Sequence, residues 1–315
     1  MLIVHLLPFN PEPCGGVKVH IQMAELEIEL GHRAYVALPE GLNQAPDWLA
    51  KNPQVRIIDY NYAKSLLTGR EGVLIGWENP QILDQFPARK KIVYVQGFVF
   101  YKSSDPYGDK IIWYSSNYNK SIVGIPGPVV PPFVDRTVFY PLESFADKFS
   151  KPYSILVQSR KDGSKKWEEV ARNLNESTIK SFSPIVLTNK REEDFATSMR
   201  QATMFFAHSF PEGFGLPALE AMVSGTLVFG YTGGGGSDFM THRHNSFIAP
   251  NGDFFSVSKM LEGMSTLSYD HLIRIVKNAF ETASQYSKEN TKSQLQIAID
   301  SLMGIHRRGD EKESK

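Results

Sequence analysis

The stretch SFPEGFGLPALEAMVSG, residues 209–225, follows a short apolar run, Met204, Phe205, Phe206 and Ala207, and carries two glutamates, Glu212 and Glu220, eight positions apart. A continuous apolar run of that length before a turn predicts a buried strand of a parallel sheet, ending near His208. Gly213 and Gly215 lack side chains, so the turn after Glu212 can bring backbone N–H groups close to a ligand. Pro217 suits the first helical position, and Gly225 suits the left-handed residue that ends a helix. Strand, glycine turn and helix N-terminus together make a site for an anion such as a phosphate. Glu220, one turn inside the helix near its positive end, stays ionised and accepts hydrogen bonds from neutral hydroxyls. Those are the needs of a ribose beside a phosphate.

Working outward, the same strand, glycine turn and helix recur at the start of the chain. Residues 2–7 predict a buried strand and 8–16 a loop ending in Gly15-Gly16. A helix then carries Val19, Met23, Leu26 and Leu30, with Gly31 as its stop. Cys14 beside the glycines reads as a small loop residue. Short apolar segments at 34–38, 55–60, 73–77, 92–96 and 111–114 predict a parallel sheet with helices on both faces. Glu78, Asn79 and Gln96 stand at strand ends, which face the crevice where such sheets bind ligands. Prolines 126, 128, 131, 132 and 141 exclude a long helix or a central strand, and this segment reads as an interdomain hinge. A second sheet then starts at 153–158. The basic loop SRKDGSKK, 159–166, follows and opens onto a helix from about Trp167. Residues 184–188 predict another buried strand, 191–201 a helix, 226–229 and 246–250 the last strands, and 291–302 a terminal helix. Leu272, Ile275, Val276, Ala279 and Phe280 lie on one helical face. The Gly233–Gly236 run reads as a loop. His242 and His244 have no third ligand at a metal-binding spacing and read as a surface turn. The apolar-poor end, 306–315, is expected to fray.

With 315 residues there is room for two domains. Lys plus Arg and Asp plus Glu are 34 each, so the formal charge is zero, and nothing global favours nucleic acid or an anionic membrane. One cysteine allows no internal disulfide and fits a reducing compartment. No apolar run is long enough to cross a bilayer, and the start lacks the pattern of a signal peptide. A cytoplasmic protein is expected, with membrane contact at most peripheral, at the inner face. Arg89-Lys90-Lys91 and the aromatic loop at 98–101 are the segments that could make that contact.

PEGFGLPALEAMVSG resembles the E-x7-E signature of retaining GT-B glycosyltransferases of the large family 4 type, and further likenesses fall in order from residue 2 to about 255. The resemblance implies an α/β fold of two Rossmann-like domains whose parallel sheets face a central cleft. Residues 1–135 would form the acceptor domain, 136–295 the nucleotide-sugar donor domain, and 296–315 the end of a helix crossing back to the first domain with a charged tail. By the same resemblance Glu212 faces the donor sugar. Arg160 and Lys165, five apart, clasp the diphosphate, or Lys166 does so after a one-residue shift. Gly15, Gly16, Gly213, Phe214, Gly215, Leu216 and Glu220 bind the donor, with Glu220 on the ribose, and backbone near 187–190 receives the base. Fixed cations stabilise the charge that grows on a departing diphosphate. The implied activity is hexose transfer with retention from a UDP- or GDP-sugar, UDP-glucose type favoured, to a sugar or lipid-linked glycan acceptor in polysaccharide or glycolipid synthesis. No cofactor and no metal are expected, since no DxD motif occurs. The chain departs from the family in lacking the histidine usual near Trp77, and Asp238 stands where a glutamate is usual. A Rossmann oxidoreductase or epimerase would need G-x-G-x-x-G after the first strand, which residues 8–16 lack. A non-catalytic nucleotide- or sugar-binding module of the same fold is the other alternative.

Overall fold

A computed structural model describes residues 1–8, 12–51, 53–77, 79–97, 107–143 and 148–305. Glu78, the aromatic loop at 98–101 and the tail at 306–315 lie outside the described residues.

The first half runs β1 (Leu2–Leu6), α1 (Gly15–Glu29), β2 (Arg33–Leu38), β3 (Arg56–Asp59), α2 (Tyr60–Leu67), β4 (Gly72–Gly76), α3 (Pro80–Leu83), β5 (Lys90–Val95), β6 (Ile111–Tyr114) and α4 (Asn117–Val123). Its strands pair in parallel in the order β3-β2-β1-β4-β5-β6. β1 and β4 are buried along their whole length, because helices cover both faces of the sheet. The second half runs β7 (Tyr153–Gln158), α5 (Gly163–Arg172), α6 (Glu176–Ile179), β8 (Phe182–Leu187), α7 (Glu192–Gln201), β9 (Met204–Ala207), α8 (Leu216–Val223), β10 (Leu227–Gly230), β11 (Phe247–Ile248), α9 (Phe254–Met264), α10 (Tyr269–Ser284) and α11 (Lys288–Leu302). These strands form a second parallel sheet, β11-β10-β9-β7-β8.

In each sheet the strand order reverses, between β1 and β4 and between β7 and β9. The loops leaving two neighbouring strands there diverge and open a crevice at the carboxyl ends. Arg160 follows β7 and Glu212 follows β9, so residues far apart in sequence reach one place. Gly15 follows β1, and Gln96 follows β5, next to β4 in the facing sheet.

Two sequence expectations need correction. β8 is not buried: Ser183, Pro184, Ile185 and Val186 are exposed, because β8 is the edge of the sheet formed by the described residues. α5 begins at Gly163, not Trp167, so Lys165 and Lys166 stand in a helical first turn. Its polar start carries no apolar periodicity that would reveal it.

The halves are packed together. One apolar cluster runs from Val19 and Met23 of α1 through Phe139 to Leu219 of α8 and Leu295 and Ile299 of α11. Each such fully buried aliphatic side chain contributes about 1.5–3 kcal/mol. α11 also returns to the first half, where Thr291 donates to the Pro131 carbonyl at 3.0 Å and Lys292 meets Glu29 at 2.9 Å.

Candidate active site

Between the two sheets lies a cleft of about 500 Å³. Its walls include Gly15, Gly16 and Gln96 from the first half and Arg160, Lys161, Glu212, Gly213, Phe214, Gly215, Leu216 and Glu220 from the second. Every residue expected to bind the donor reaches it, as do the expected catalytic residues Arg160 and Glu212. Lys165 does not line it. The Lys165 ammonium is 3.6 Å from Asp162, and its side chain is 81% exposed. A surface pair of that kind holds the side chain only weakly. Lys166 turns inward instead and donates to the His208 carbonyl at 3.2 Å.

The turn that presents Arg160 is a single 3-10 turn, Arg160–Asp162, in which Lys161 and Asp162 both have positive φ, 53° and 60°. Such conformations cost energy in non-glycine residues and persist only where the surroundings enforce them. One enforcing contact is visible: the Lys161 ammonium reaches Glu212 at 2.7 Å. The other is Gly163, where a Cβ would collide with the Gln158 carbonyl and the His208 ring. His208 is buried, and burial followed by the nearby Lys166 charge lowers its pKa to about 4. The ring is therefore neutral near pH 7, and it acts as packing under the loop.

Glu212 is fixed through its backbone. Its N–H donates to the Gly233 carbonyl and its carbonyl accepts from Gly235 N–H, each at 2.8 Å. The glycine run is thus a second strip of backbone bonded to the loop. Gly215, at φ 92°, turns the chain into α8, whose first turn contains Pro217. Gly213 has a different reason to be glycine from the one its motif suggests. A Cβ there would strike the Gln96 carbonyl in the opposite wall.

Glu220 is 5% exposed. Burial raises its pKa, opposed by the Lys18 ammonium 2.7 Å away on α1. Lys18 also pairs with Glu192 at the start of α7. Neither Lys18 nor Glu192 stood out in the sequence. The available signal was Lys18 itself, a cation in the first turn of a helix, where the macrodipole disfavours it.

Of the strand-end candidates, Gln96 lines the cleft, whereas Asn79 precedes α3 and is absent from the cleft lining. Asp238, to which the sequence reading assigned no role, accepts from the backbone N–H of Asn117 at 2.7 Å and of Tyr118 at 3.3 Å, capping α4 from the other half. Nearby, the Ser116 hydroxyl donates to the Gly213 carbonyl at 2.7 Å. The His242 ring accepts from Ile248 N–H at 2.9 Å within its turn. Among the described residues no group of three or more His, Cys, Asp or Glu could hold a metal ion, and no helix is long and apolar enough to cross a membrane.

Residues 163–281 match the family model for glycosyl transferases group 1. The matched segment contains Glu212 and Glu220, and it begins just after Arg160. No curated protein matches the sequence. Among solved structures, HepE from Anabaena in complex with UDP and glucose is similar with a TM-score of 0.73 at 14% identity, covering 96% of this chain and 100% of that one. A glycosyltransferase from Rickettsia africae reaches 0.74 at 14% identity, with 96% and 98% covered. Sucrose-phosphate synthase from Thermosynechococcus elongatus reaches 0.70 at 13%, with 97% and 100% covered. The chain therefore has the GT-B fold of these enzymes, two parallel-sheet α/β domains facing a cleft.

Proposed function

We propose that this chain is a glycosyltransferase that moves a hexose, with retention, from a nucleoside diphosphate sugar to a sugar or lipid-linked glycan acceptor. The observation that carries this reading is the convergence of Arg160, Glu212, Glu220 and the N-terminus of α8 on one cleft from separate loops and helices. A UDP-sugar of the UDP-glucose type is the favoured donor, in keeping with the HepE structure described as a complex with UDP-glucose.

Each group then has a task. The N–H groups at the start of α8 and the Arg160 guanidinium meet the diphosphate. Lys165, weakly held by Asp162, swings onto it from the first turn of α5. Glu220 accepts from the ribose hydroxyls, and Glu212, held by Lys161, faces the donor sugar. As the glycosidic bond to the diphosphate breaks, negative charge grows on the leaving oxygens, where fixed cations lower the barrier. The leaving diphosphate takes the proton of the attacking acceptor hydroxyl, and the new bond forms on the same face. The first domain holds the acceptor. The reaction runs in the cytoplasm without a metal, in polysaccharide or glycolipid synthesis, and with membrane contact at most peripheral.

Titration calorimetry with UDP and GDP tests the nucleotide site. Glu220→Gln keeps the shape but weakens charge-assisted hydrogen bonds worth about 1.5–3 kcal/mol, so affinity should fall about tenfold or more. Unchanged affinity would remove Glu220 from the site. Hexose transfer from UDP-glucose should survive exhaustive EDTA treatment, since among the described residues no cluster of His, Cys, Asp or Glu could hold Mg²⁺ or Mn²⁺ against the diphosphate. Loss of activity restored by Mn²⁺ would place the chain in another mechanistic class.

A further inference from the structure

Lys18 sits in the first turn of α1, two residues after Gly16, with an ammonium that is almost fully removed from solvent. Both circumstances are unfavourable, because the helix end is already positive and a buried charge loses its hydration. They are offset by three partners from outside α1. Glu220 Oε1 lies at 2.7 Å, Glu192 forms the second ion pair, and the Phe139 ring lies beneath the ammonium at 4.7 Å. Burial alone would lower the Lys18 pKa, yet the two carboxylates outweigh it and raise it. Lys18 is therefore held charged near neutral pH by its two carboxylate partners.

The two carboxylates are not equivalent. Glu192 is tied to the first domain independently of Lys18. Its backbone N–H donates to the Trp48 carbonyl at 2.8 Å, and its Oε2 accepts from Ala50 N–H at 2.9 Å. Glu220 lies in the cleft wall, with only Oε1 engaged by Lys18. A carboxylate has several acceptor sites, so one oxygen on Lys18 leaves the other for a ligand.

We propose that Lys18 is a positioning residue of the nucleotide site, fixing the charge and orientation of the Glu220 carboxylate toward the ribose hydroxyls while itself anchored on Glu192. This rests on the nucleotide-sugar reading above and adds to the glycines of the first domain a charged side chain that acts on the donor site through Glu220. Among the described residues, the charged groups acting on the Glu220 carboxyl are Lys18 from α1 and Glu192 from α7. α10 and the strands β9 and β10 meet α8 through apolar groups, among them Ala279, Phe205 and Val228. The nearest other titratable group on α1, His20, faces His5, and burial holds its pKa well below the usual range. Removing Lys18 thus leaves Glu220 buried beside the like charge of Glu192. Both push toward the protonated form, which has lost its charge and one acceptor site.

The test is nucleotide affinity against pH, measured by calorimetry with UDP and GDP for the wild type, Lys18→Met, Lys18→Arg, Glu220→Gln and the double variant Lys18→Met with Glu220→Gln. Affinity that depends on ionised Glu220 declines as pH falls through its pKa. In Lys18→Met this acid limb should move up by about one pH unit or more, the size of effect expected from losing an adjacent opposite charge. Affinity near pH 7 should fall roughly tenfold, and Lys18→Arg should recover part of it. Glu220→Gln should lack the limb, and adding Lys18→Met to it should cost little more. An unmoved limb in Lys18→Met, or a full additional loss in the double variant, overturns the proposal. A ligand-free measurement separates it from the functional reading. In ¹³C NMR of carboxyl-labelled glutamate, the Glu220 resonance, identified by its loss in Glu220→Gln, should titrate at higher pH in Lys18→Met, and no change sinks the coupling itself. If that resonance moves while the wild type binds neither UDP nor GDP, the nucleotide reading fails and the ion pair stands.

Discussion

The two walls of the cleft both turn on glycines before a helix, but the glycines are there for different reasons. On the second-domain side, a Cβ on Gly213 would meet the Gln96 carbonyl, one on Gly235 the Gly213 backbone, and one on Gly163 the Gln158 carbonyl. There the glycines let backbone pack on backbone. On the first-domain side, a Cβ on Gly15 would meet only the end of the Leu216 side chain, at 3.8 Å, an ordinary contact. Among the described residues nothing requires Gly15 to be bare, and the space beside it is open to a ligand. The charges divide in the same way. The second wall carries Arg160, Lys161, Lys190, Glu192, Glu212 and Glu220, while Lys18 is the charged residue that the first wall contributes to the cleft lining among the described residues. One wall carries most of the charges and packs tightly, both on itself and across onto Gln96; the other leaves room beside Gly15.

The largest expected effect tests the charged wall. Loss of one cation that meets a leaving group costs about 2.7–4 kcal/mol, on the order of a hundredfold to a thousandfold in kcat. On the proposal that Lys165 swings from its exposed position outside the cleft onto the diphosphate, Lys165→Ala should lower kcat at saturating donor by that amount, because the charge on that group is greatest in the transition state. Lys161→Ala should do less, since Lys161 is engaged by Glu212. If the order is reversed, the diphosphate is held by Arg160 and Lys161, and the spacing of five does not mark the clasp.

Next comes the packing of the same wall. Gly213→Ala forces a side chain against the Gln96 carbonyl, and neither backbone can yield without opening the contact between the domains. Overpacking of this kind typically costs about 1–3 kcal/mol. A clear drop in the denaturant midpoint should accompany weaker nucleotide binding. An unchanged midpoint would show that the two walls do not press together in solution as they do here.

How much of this was visible in the sequence depends on how local the cause is. The strand at Met204–Ala207 and the turn to α8 are written in neighbouring residues, an apolar run followed by glycines and proline, and both were legible. The edge position of β8 was not. Pro184, Ile185 and Val186 read as a buried strand because apolarity says nothing about whether another strand lies outside. α9 went unnamed although Asp253 caps it by accepting from Ser256 N–H at 2.9 Å. Lys18 and Glu220 are 202 residues apart in sequence. Nothing around GGVK says which carboxylate its lysine will meet, because that contact exists only once the two domains pack. The glycine motifs were recognisable, whereas the reason each glycine is bare required coordinates.

The smallest effect separates ligand from protein as the reason for a bare residue. Gly15 is the first residue of α1, and alanine there meets no close neighbour. Alanine is also the better helix former, so Gly15→Ala should keep the melting temperature of the free protein or raise it slightly. Its cost should appear only with ligand present. If the diphosphate approaches the backbone at Gly15, a methyl group occupies part of that path, and UDP affinity should fall about tenfold, roughly 1.4 kcal/mol. The comparison with Gly213→Ala is what gives this measurement its force, because there stability and binding should fall together, whereas here binding should fall alone. Unchanged UDP affinity in Gly15→Ala would mean that the space beside the first wall is not where the diphosphate lies, and that the two glycine turns differ in packing but not in task.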